Sequence, residues 1–163
     1  VERDPQSLTL ALLLALGATV RRLDQAMHLT VASWLSAEED LARCLIADVS
    51  VPLGETQAGV GIEKVSRTPA DAPIVAAVAY VEMSDDDRPA YSALALVGVA
   101  DRAVRQDGVA RALDETGDVE RALDALAVDP PSDHWGSAEY RAEMARVTAR
   151  RALIAAMAQA RTA

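Results

Sequence analysis

Few side chains in this sequence combine reactive chemistry with useful spacing. Asp85, Asp86 and Asp87 form an acidic run that could attract a hard cation such as calcium. The run lacks the alternating ligands and closing glutamate of a calcium loop, so a solvated hairpin tip is the simpler reading. Gly54, Gly59 and Gly61 lie close together, but Glu55 stands among them and no helix follows. A phosphate cradle needs a glycine-rich turn opening a helix, and the stretch reads as a loop instead. His28 and His134 are far apart, and Cys44 is the single cysteine. Neither a zinc-ligand spacing nor an intrachain disulfide can be built from them. No G-x-S-x-G elbow exposes a serine nucleophile. His134, Trp135 and Glu139 resemble a small site, yet Trp135 reads more simply as the cover on the end of a helix bundle, with Ser137 capping the final helix. Lys64 is the only lysine, which an arginine-rich composition accounts for. No catalytic residue and no metal ligand is assigned.

Composition narrows the function further. The 163 residues carry 25 acidic against 16 basic side chains, a net charge of −9. Such a surface repels nucleic-acid phosphates and anionic lipid headgroups. Hydrophobic residues make up 51% of the chain, enough for a core, but phenylalanine is absent and aromatics are 3%. Packing must therefore rest on aliphatic side chains and close alanine contacts. No apolar run reaches the roughly 18 residues of a membrane span. Leu8 to Leu16 is too short, and its flanks do not suit a signal peptide. The lone thiol fits a reducing compartment, and a cytoplasmic location is expected. Val1 in place of an initiator methionine suggests a fragment or a processed product.

The local patterns predict an ordered set of elements. Ser7 caps a leucine-rich helix ending at Gly17, with leucine on nearly every side, so that both faces call for burial. Strands follow over Thr19–Leu23 and Met27–Val31. Ser36 and Glu39 form a capping box for a short helix over Ser36–Arg43, and Leu45–Val51 is a strand. Pro52 and Gly54 mark a domain boundary. Beyond it, Val60–Ser66, Pro73–Met83 and Tyr91–Val99 read as an antiparallel meander. Asp101–Gln106, Val109–Glu115 and Asp118–Ala127 read as short helices. Asp129-Pro130-Pro131 breaks the chain, and Ser137 starts the longest helix. Tyr140, Met144, Val147, Ile154 and Met157 form its apolar stripe, with Arg141, Arg146, Arg150 and Arg161 on the charged face.

The order of five segments is more informative than any one motif. They are Leu14-Ala15-Leu16-Gly17-Ala18, Val49-Ser50-Val51-Pro52, Glu63-Lys64-Val65-Ser66-Arg67-Thr68-Pro69-Ala70-Asp71, Ala95-Leu96-Val97-Gly98-Val99, and Ser137-Ala138-Glu139-Tyr140-Arg141 with Ala145-Arg146-Val147 and Arg150-Arg151-Ala152-Leu153 behind it. Together they resemble the FAD-binding (medium, flavoprotein) subunit of the molybdenum hydroxylase family, which includes carbon monoxide dehydrogenase and xanthine dehydrogenase. The resemblance implies an α+β fold: a three-stranded antiparallel sheet packed on a helical bundle, preceded by part of an FAD-binding α/β subdomain. Residues 1–53 correspond to the end of the second FAD-binding subdomain and 54–163 to the C-terminal domain.

FAD is the cofactor the family implies, and the partners are an iron–sulfur subunit and a molybdopterin subunit. By the same resemblance Ile46 corresponds to an apolar residue near the flavin ring. Lys64 and Arg67 lie in the family's basic segment, with Asp71 behind them. More simply, Lys64 faces solvent and Arg67 pairs with Asp71. The sequence departs from the pattern at Thr68, where the family has a second arginine, and around Ser7 and Leu8, where it has an acidic residue. The family's glycine-rich pyrophosphate loop would lie N-terminal to the matched segments. The expected function is thus that of a partial flavoprotein subunit passing electrons between an iron–sulfur subunit and flavin, not a complete catalyst alone. The alternative is a non-catalytic interaction or assembly module that keeps the fold without FAD. In either case the leucine-rich helix calls for a cover from a missing N-terminal half or a second copy.

Overall fold

The computed structural model describes residues 6–24, 26–37, 45–52 and 57–163. Its centre is a four-stranded antiparallel sheet of β4 (Ala58–Val65), β5 (Val75–Met83), β6 (Pro89–Val97) and β7 (Val104–Arg105), in sequence order. The meander expected over three strands is present, and β7 extends it by one short pairing of Ala95 with Arg105 and Leu96 with Val104. That pairing replaces the helix expected over Asp101–Gln106. Backbone donors there meet the open edge of β6, which supplies acceptors an isolated turn lacks.

β5 from Val75 to Val81 and β6 from Ala93 to Val97 are apolar without interruption because both faces are covered there. Alternate residues Ala77, Ala79, Val81, Leu94 and Leu96 join one core with α5 (Ala138–Ala160), α3 (Asp107–Thr116) and Leu123. Their neighbours Ala76, Val78, Tyr80, Ala93, Ala95 and Val97 join a second core with α1 (Leu8–Ala15) and α2 (Val31–Ser36). The second core therefore includes residues from both sides of the 53/54 boundary.

The N-terminal elements follow local signals. Ser7 Oγ accepts from the Leu10 amide at 3.3 Å, and Gly17 leaves the helix with φ +65°. Leu10, Ala11, Leu14 and Ala15 are buried, whereas Leu8, Leu12, Leu13 and Leu16 are half-covered. A small sheet in the order β2 (His28–Thr30), β1 (Thr19–Arg22), β3 (Ile46–Ser50) stands beside α1 and α2. Ser36 is the last residue of α2, its Oγ donating to the Ala32 carbonyl at 2.9 Å. Thr30 supplies the cap, its Oγ1 accepting from Ser33 N at 3.0 Å. The Glu39 half of the expected capping box, the rest of the Ser36–Arg43 helix, Cys44 and Gly54 lie outside the described residues.

At the C-terminal end, Asp118 caps α4 (Val119–Ala122) through Oδ1, and a 3-10 turn, Leu123–Ala125, continues it. Ser137 caps α5, accepting from Tyr140 N at 3.2 Å. The buried face of α5 differs from the expected stripe. It is built from Arg141, Ala145, Thr148, Ala149, Ala152, Leu153, Ala156, Met157 and Ala160, while Tyr140 and Ile154 are 41% and 50% exposed. Small side chains win because β4 approaches the helix too closely for large ones. A Cβ on Gly61 would stand 1.9 Å from the Ala152 carbonyl oxygen, and one on Gly59 would stand 2.1 Å from that of Ala156. Glycine on the strand and alanine on the helix bring the two backbones into dispersion contact over α5's middle turns.

This contact sets a test. Gly61→Val should destabilise the fold by about 1–3 kcal/mol through overpacking, read as a lowered urea midpoint with the slope unchanged. Ala152→Gly should not recover the loss in the double variant, because the atoms a residue-61 Cβ meets are the backbone carbonyl of residue 152 and the Ala156 nitrogen.

Candidate functional site

A buried guanidinium positions the residues with the most chemical capacity. Arg141 is 2% exposed, on the sheet-facing side of α5's first turn. Its Nη1 donates to the carbonyls of Ile74 and Gly98, each at 2.9 Å. Gly98 is there because its φ is +79° and a Cβ would collide with the Ile74 carbonyl oxygen at 1.9 Å. Nη2 reaches both oxygens of Asp133 at 2.8 Å, a two-point ion pair.

Asp133 in turn folds the segment before α5. Its Oδ1 accepts from the amides of Trp135 and Gly136 at 2.8 and 3.2 Å. The Arg141 guanidinium, and after it the Trp135 amide, hold this carboxyl below its ordinary range. The turn presents the Trp135 indole, which packs partly on the main core, with the His134 ring 4.9 Å away. Trp135 thus covers the end of the helical layer, as the sequence suggested, and also carries a cation. The Arg67 guanidinium carbon lies 3.9 Å from the indole centroid.

Lys64 and Arg67 belong to one structure, the end of β4 and the loop after it. Lys64 Nζ donates to the Pro69 carbonyl at 2.7 Å, Ser66 Oγ to that of Thr68 at 2.8 Å, and the Thr68 amide to Asp71 Oδ2 at 3.1 Å. The simpler expectation of an Arg67–Asp71 salt bridge is replaced: Asp71 turns to the Thr68 amide, and Arg67 stacks on Trp135. Arg67 makes no hydrogen bond or ion pair among the described residues. Ile46 lies elsewhere, on β3 of the smaller sheet, half-buried against the second core and paired in register with Arg22. The structure brings Lys64 and Arg67 together but sets Ile46 on a different sheet.

The other sequence candidates resolve as structural features. Asp85–Asp87 form the tip of the β5–β6 hairpin, where Asp87 has φ 57° and accepts from Arg161 Nε at 2.8 Å. Among the described residues no cluster of histidine, cysteine or carboxylate side chains could hold a metal ion. His28 sits on β2 beside Asp48, which pairs with Arg21. Two adjoining clefts of about 260 and 290 Å3 meet at Leu14, Ala32, Arg105 and Asp107. Their arginines are engaged: Arg105 Nη1 donates to the Leu14 carbonyl at 3.2 Å and Nε to Asp107, and Arg102 Nη1 donates to the Leu35 carbonyl at 3.4 Å. These contacts complete the carbonyl ends of α1 and α2.

A family model for the CO dehydrogenase flavoprotein C-terminal domain matches residues 62–156. The chain belongs to that family. CO dehydrogenase from Oligotropha carboxidovorans superposes with a TM-score of 0.82 at 25% identity, over 96% of this chain and 58% of the other. Carbon monoxide dehydrogenase from Hydrogenophaga pseudoflava, in a form lacking the Mo-pyranopterin moiety of the molybdenum cofactor, gives a TM-score of 0.85 at 24% identity, with the same coverage of 96% and 58%. Quinoline 2-oxidoreductase from Pseudomonas putida 86 gives 0.78 at 20% identity, over 97% of this chain and 58% of that one. These last two establish likeness of fold. No curated protein matches the chain. The chain spans 58% of the length of each of these solved relatives.

A flavin dinucleotide asks two things of a CO dehydrogenase flavoprotein domain: walls and cations for its ring, and backbone amides for its diphosphate. The side-chain set fits the first demand, with Lys64 and Arg67 keeping donors free on one braced loop. Five of the seven described glycines have other roles. Gly59 and Gly61 face α5, and Gly17, Gly98 and Gly117 make left-handed turns. No helix among the described residues is long and apolar enough to cross a membrane.

The residues missed at the sequence level are Asp133 and Arg141. Their spacing of eight gave no helical register, because Asp133 lies before the helix and reaches it only through the turn at Gly136.

The depressed Asp133 carboxyl gives a pH signature. A group held below its unfolded value, about 3.9 for aspartate, stabilises the fold above that value and loses the contribution as pH falls through the folded pKa. Wild type should therefore lose thermal stability below about pH 4 more steeply than Asp133→Asn, with the gap between their melting temperatures closing on acidification. Parallel curves would remove Asp133 from this role.

Proposed function

We propose that this chain is part of the FAD-binding flavoprotein subunit of a molybdopterin-dependent oxidoreductase. In that reading, residues 1–53 are the end of an FAD-binding subdomain and 54–163 the family's C-terminal domain. The observation that carries it is the braced loop on which Lys64 and Arg67 keep free donors, within a domain matched as a CO dehydrogenase flavoprotein.

The flavin, when bound, supplies the electron-carrying ring. The chain's own part is positional and electrostatic. Lys64 and Arg67 would hold the flavin ring's negative charge, since a cation nearby favours the form that carries it. Ile46 contributes an apolar wall from the smaller sheet. Electrons pass between this subunit and an iron–sulfur partner, and a molybdopterin subunit handles substrate. The substrate is then a property of that third subunit. The net charge of −9 keeps the domain from nucleic acids, and the cytoplasm is its compartment.

A second reading has support of its own. Gly59 and Gly61 are committed to helix packing, and half-covered leucines line α1. A non-catalytic interaction or assembly module that keeps the fold and has lost FAD binding would be built this way.

Titration of the purified chain with FAD, followed by flavin fluorescence, separates the readings. Saturable quenching that weakens in Lys64→Ala and in Arg67→Ala supports the flavin role. A wild-type chain that leaves free-flavin fluorescence unchanged over a millimolar range supports the interaction module. Each alanine variant should cost about three- to ten-fold in affinity, the scale of one net hydrogen bond at an exposed site.

A further inference from the structure

We propose that Trp135 is a positioning residue for Arg67: the indole holds the guanidinium flat so that its donor edge stays free for an anionic group of the flavin dinucleotide. This rests on the flavin reading above and deepens it, because Trp135 lies outside the sequence segment that carries Lys64 and Arg67.

The argument starts from what Arg67 lacks. Of the described arginines, Arg21, Arg22, Arg105, Arg121, Arg146, Arg150, Arg161 and the buried Arg141 pair with carboxylates, while Arg88 and Arg102 donate to main-chain carbonyls. Arg67 does neither, although Asp71 is four residues away. Asp71 Oδ2 accepts from the Thr68 amide at 3.1 Å, and the Arg67 guanidinium carbon lies over the Trp135 ring, 3.9 Å from its centroid. Stacking engages the π face of a guanidinium and leaves its five in-plane N–H donors available. The result is a cation with restricted rotamers and an open edge, the arrangement that recognises a planar or phosphate anion.

The platform is itself rigid. Trp135's amide donates to Asp133 Oδ1 at 2.8 Å, Asp133 receives both Arg141 bonds at 2.8 Å, and Arg141 is tied to Ile74 and Gly98 in the core. On the opposite side, the Arg67 loop is braced by Lys64 to Pro69 and by Ser66 to Thr68. Two independently fixed segments meet at one contact, Arg67 on Trp135. A merely structural tryptophan would need the core contact alone and would not require a cation above it.

The test uses the intact chain with the variants W135A, W135F, R67A and the double W135A/R67A, each checked for wild-type circular dichroism. Proton NMR of the Arg67 side chain reads the stacking without any ligand. Upfield ring-current shifts are expected in wild type, reduced in W135F and absent in W135A. An Arg67 side chain at random-coil shifts in wild type overturns the positioning role. FAD, riboflavin and ADP titrations then read its use. W135A should weaken FAD binding about two- to five-fold, the scale of an exposed cation–π contact. W135F should recover part of that, and the double variant should bind no more weakly than R67A. Loss confined to ADP and FAD places the anion on the diphosphate, and loss shared by riboflavin places it on the ring. If R67A weakens FAD binding while W135A binds as wild type, Trp135 does not position Arg67 and the flavin reading survives. If R67A binds FAD as wild type does, the flavin reading of Arg67 fails, whatever the NMR shows.

Discussion

A guanidinium placed between a helix and a sheet must find acceptors there, since its charge cannot be left without partners away from water. Arg141 meets this demand at its two terminal nitrogens, with two main-chain carbonyls from the ends of β5 and β6 and one carboxylate from the segment before its own helix, and leaves only the buried Nε without an acceptor among the described residues. Each partner is a constraint on a different part of the chain. The carbonyls of Ile74 and Gly98 fix where the two central strands start and stop. The Asp133 carboxylate folds the approach to α5 into a tight turn. One side chain thereby aligns the long helix with the sheet and delivers Trp135 to the protein surface.

The rest of the helix–sheet contact depends on smallness. Alanines on α5 and glycines on β4 bring the two backbones so close that one added methyl would overlap a carbonyl oxygen. Such an interface gains from dispersion over many short contacts and has few side-chain rotamers to freeze. It suits a chain without phenylalanine, whose buried rings Trp34 and Tyr80 lie in the second core. On the sheet's other face the aliphatic residues of α1 and α2 close a second core, so the N-terminal elements are packed on the domain directly.

The surface chemistry follows from this frame. Two rigid segments, the loop after β4 and the turn before α5, converge at Arg67 and Trp135. Neither segment carries the contact alone. The candidate cations are held by backbone carbonyls and an aromatic face, not by carboxylates, so their donors remain available in a chain with an excess of acid.

Much of the fold was legible from residue pattern. Ser7, Asp118 and Ser137 each cap the helix assigned to them, because a cap is a local hydrogen bond within three residues. The strands at β4, β5 and β6 were visible through β-rich runs separated by loop residues. The order of segments along the chain was enough to indicate the family. The local pattern misassigned Asp101–Gln106, whose backbone pairs with a distant strand edge, and missed the helix that Thr30 begins before Ser36. The α5 stripe was misread because hydrophobicity alone ranks tyrosine and isoleucine above alanine, whereas the interface was chosen by backbone distance. Arg141 looked like a surface charge for the same reason: its acceptors at Ile74 and Gly98 are 67 and 43 residues away in sequence. Sequence determines what lies within a turn of itself. Burial, the Arg67 stack and the Gly–Ala contact are decided by atoms that only folding brings together.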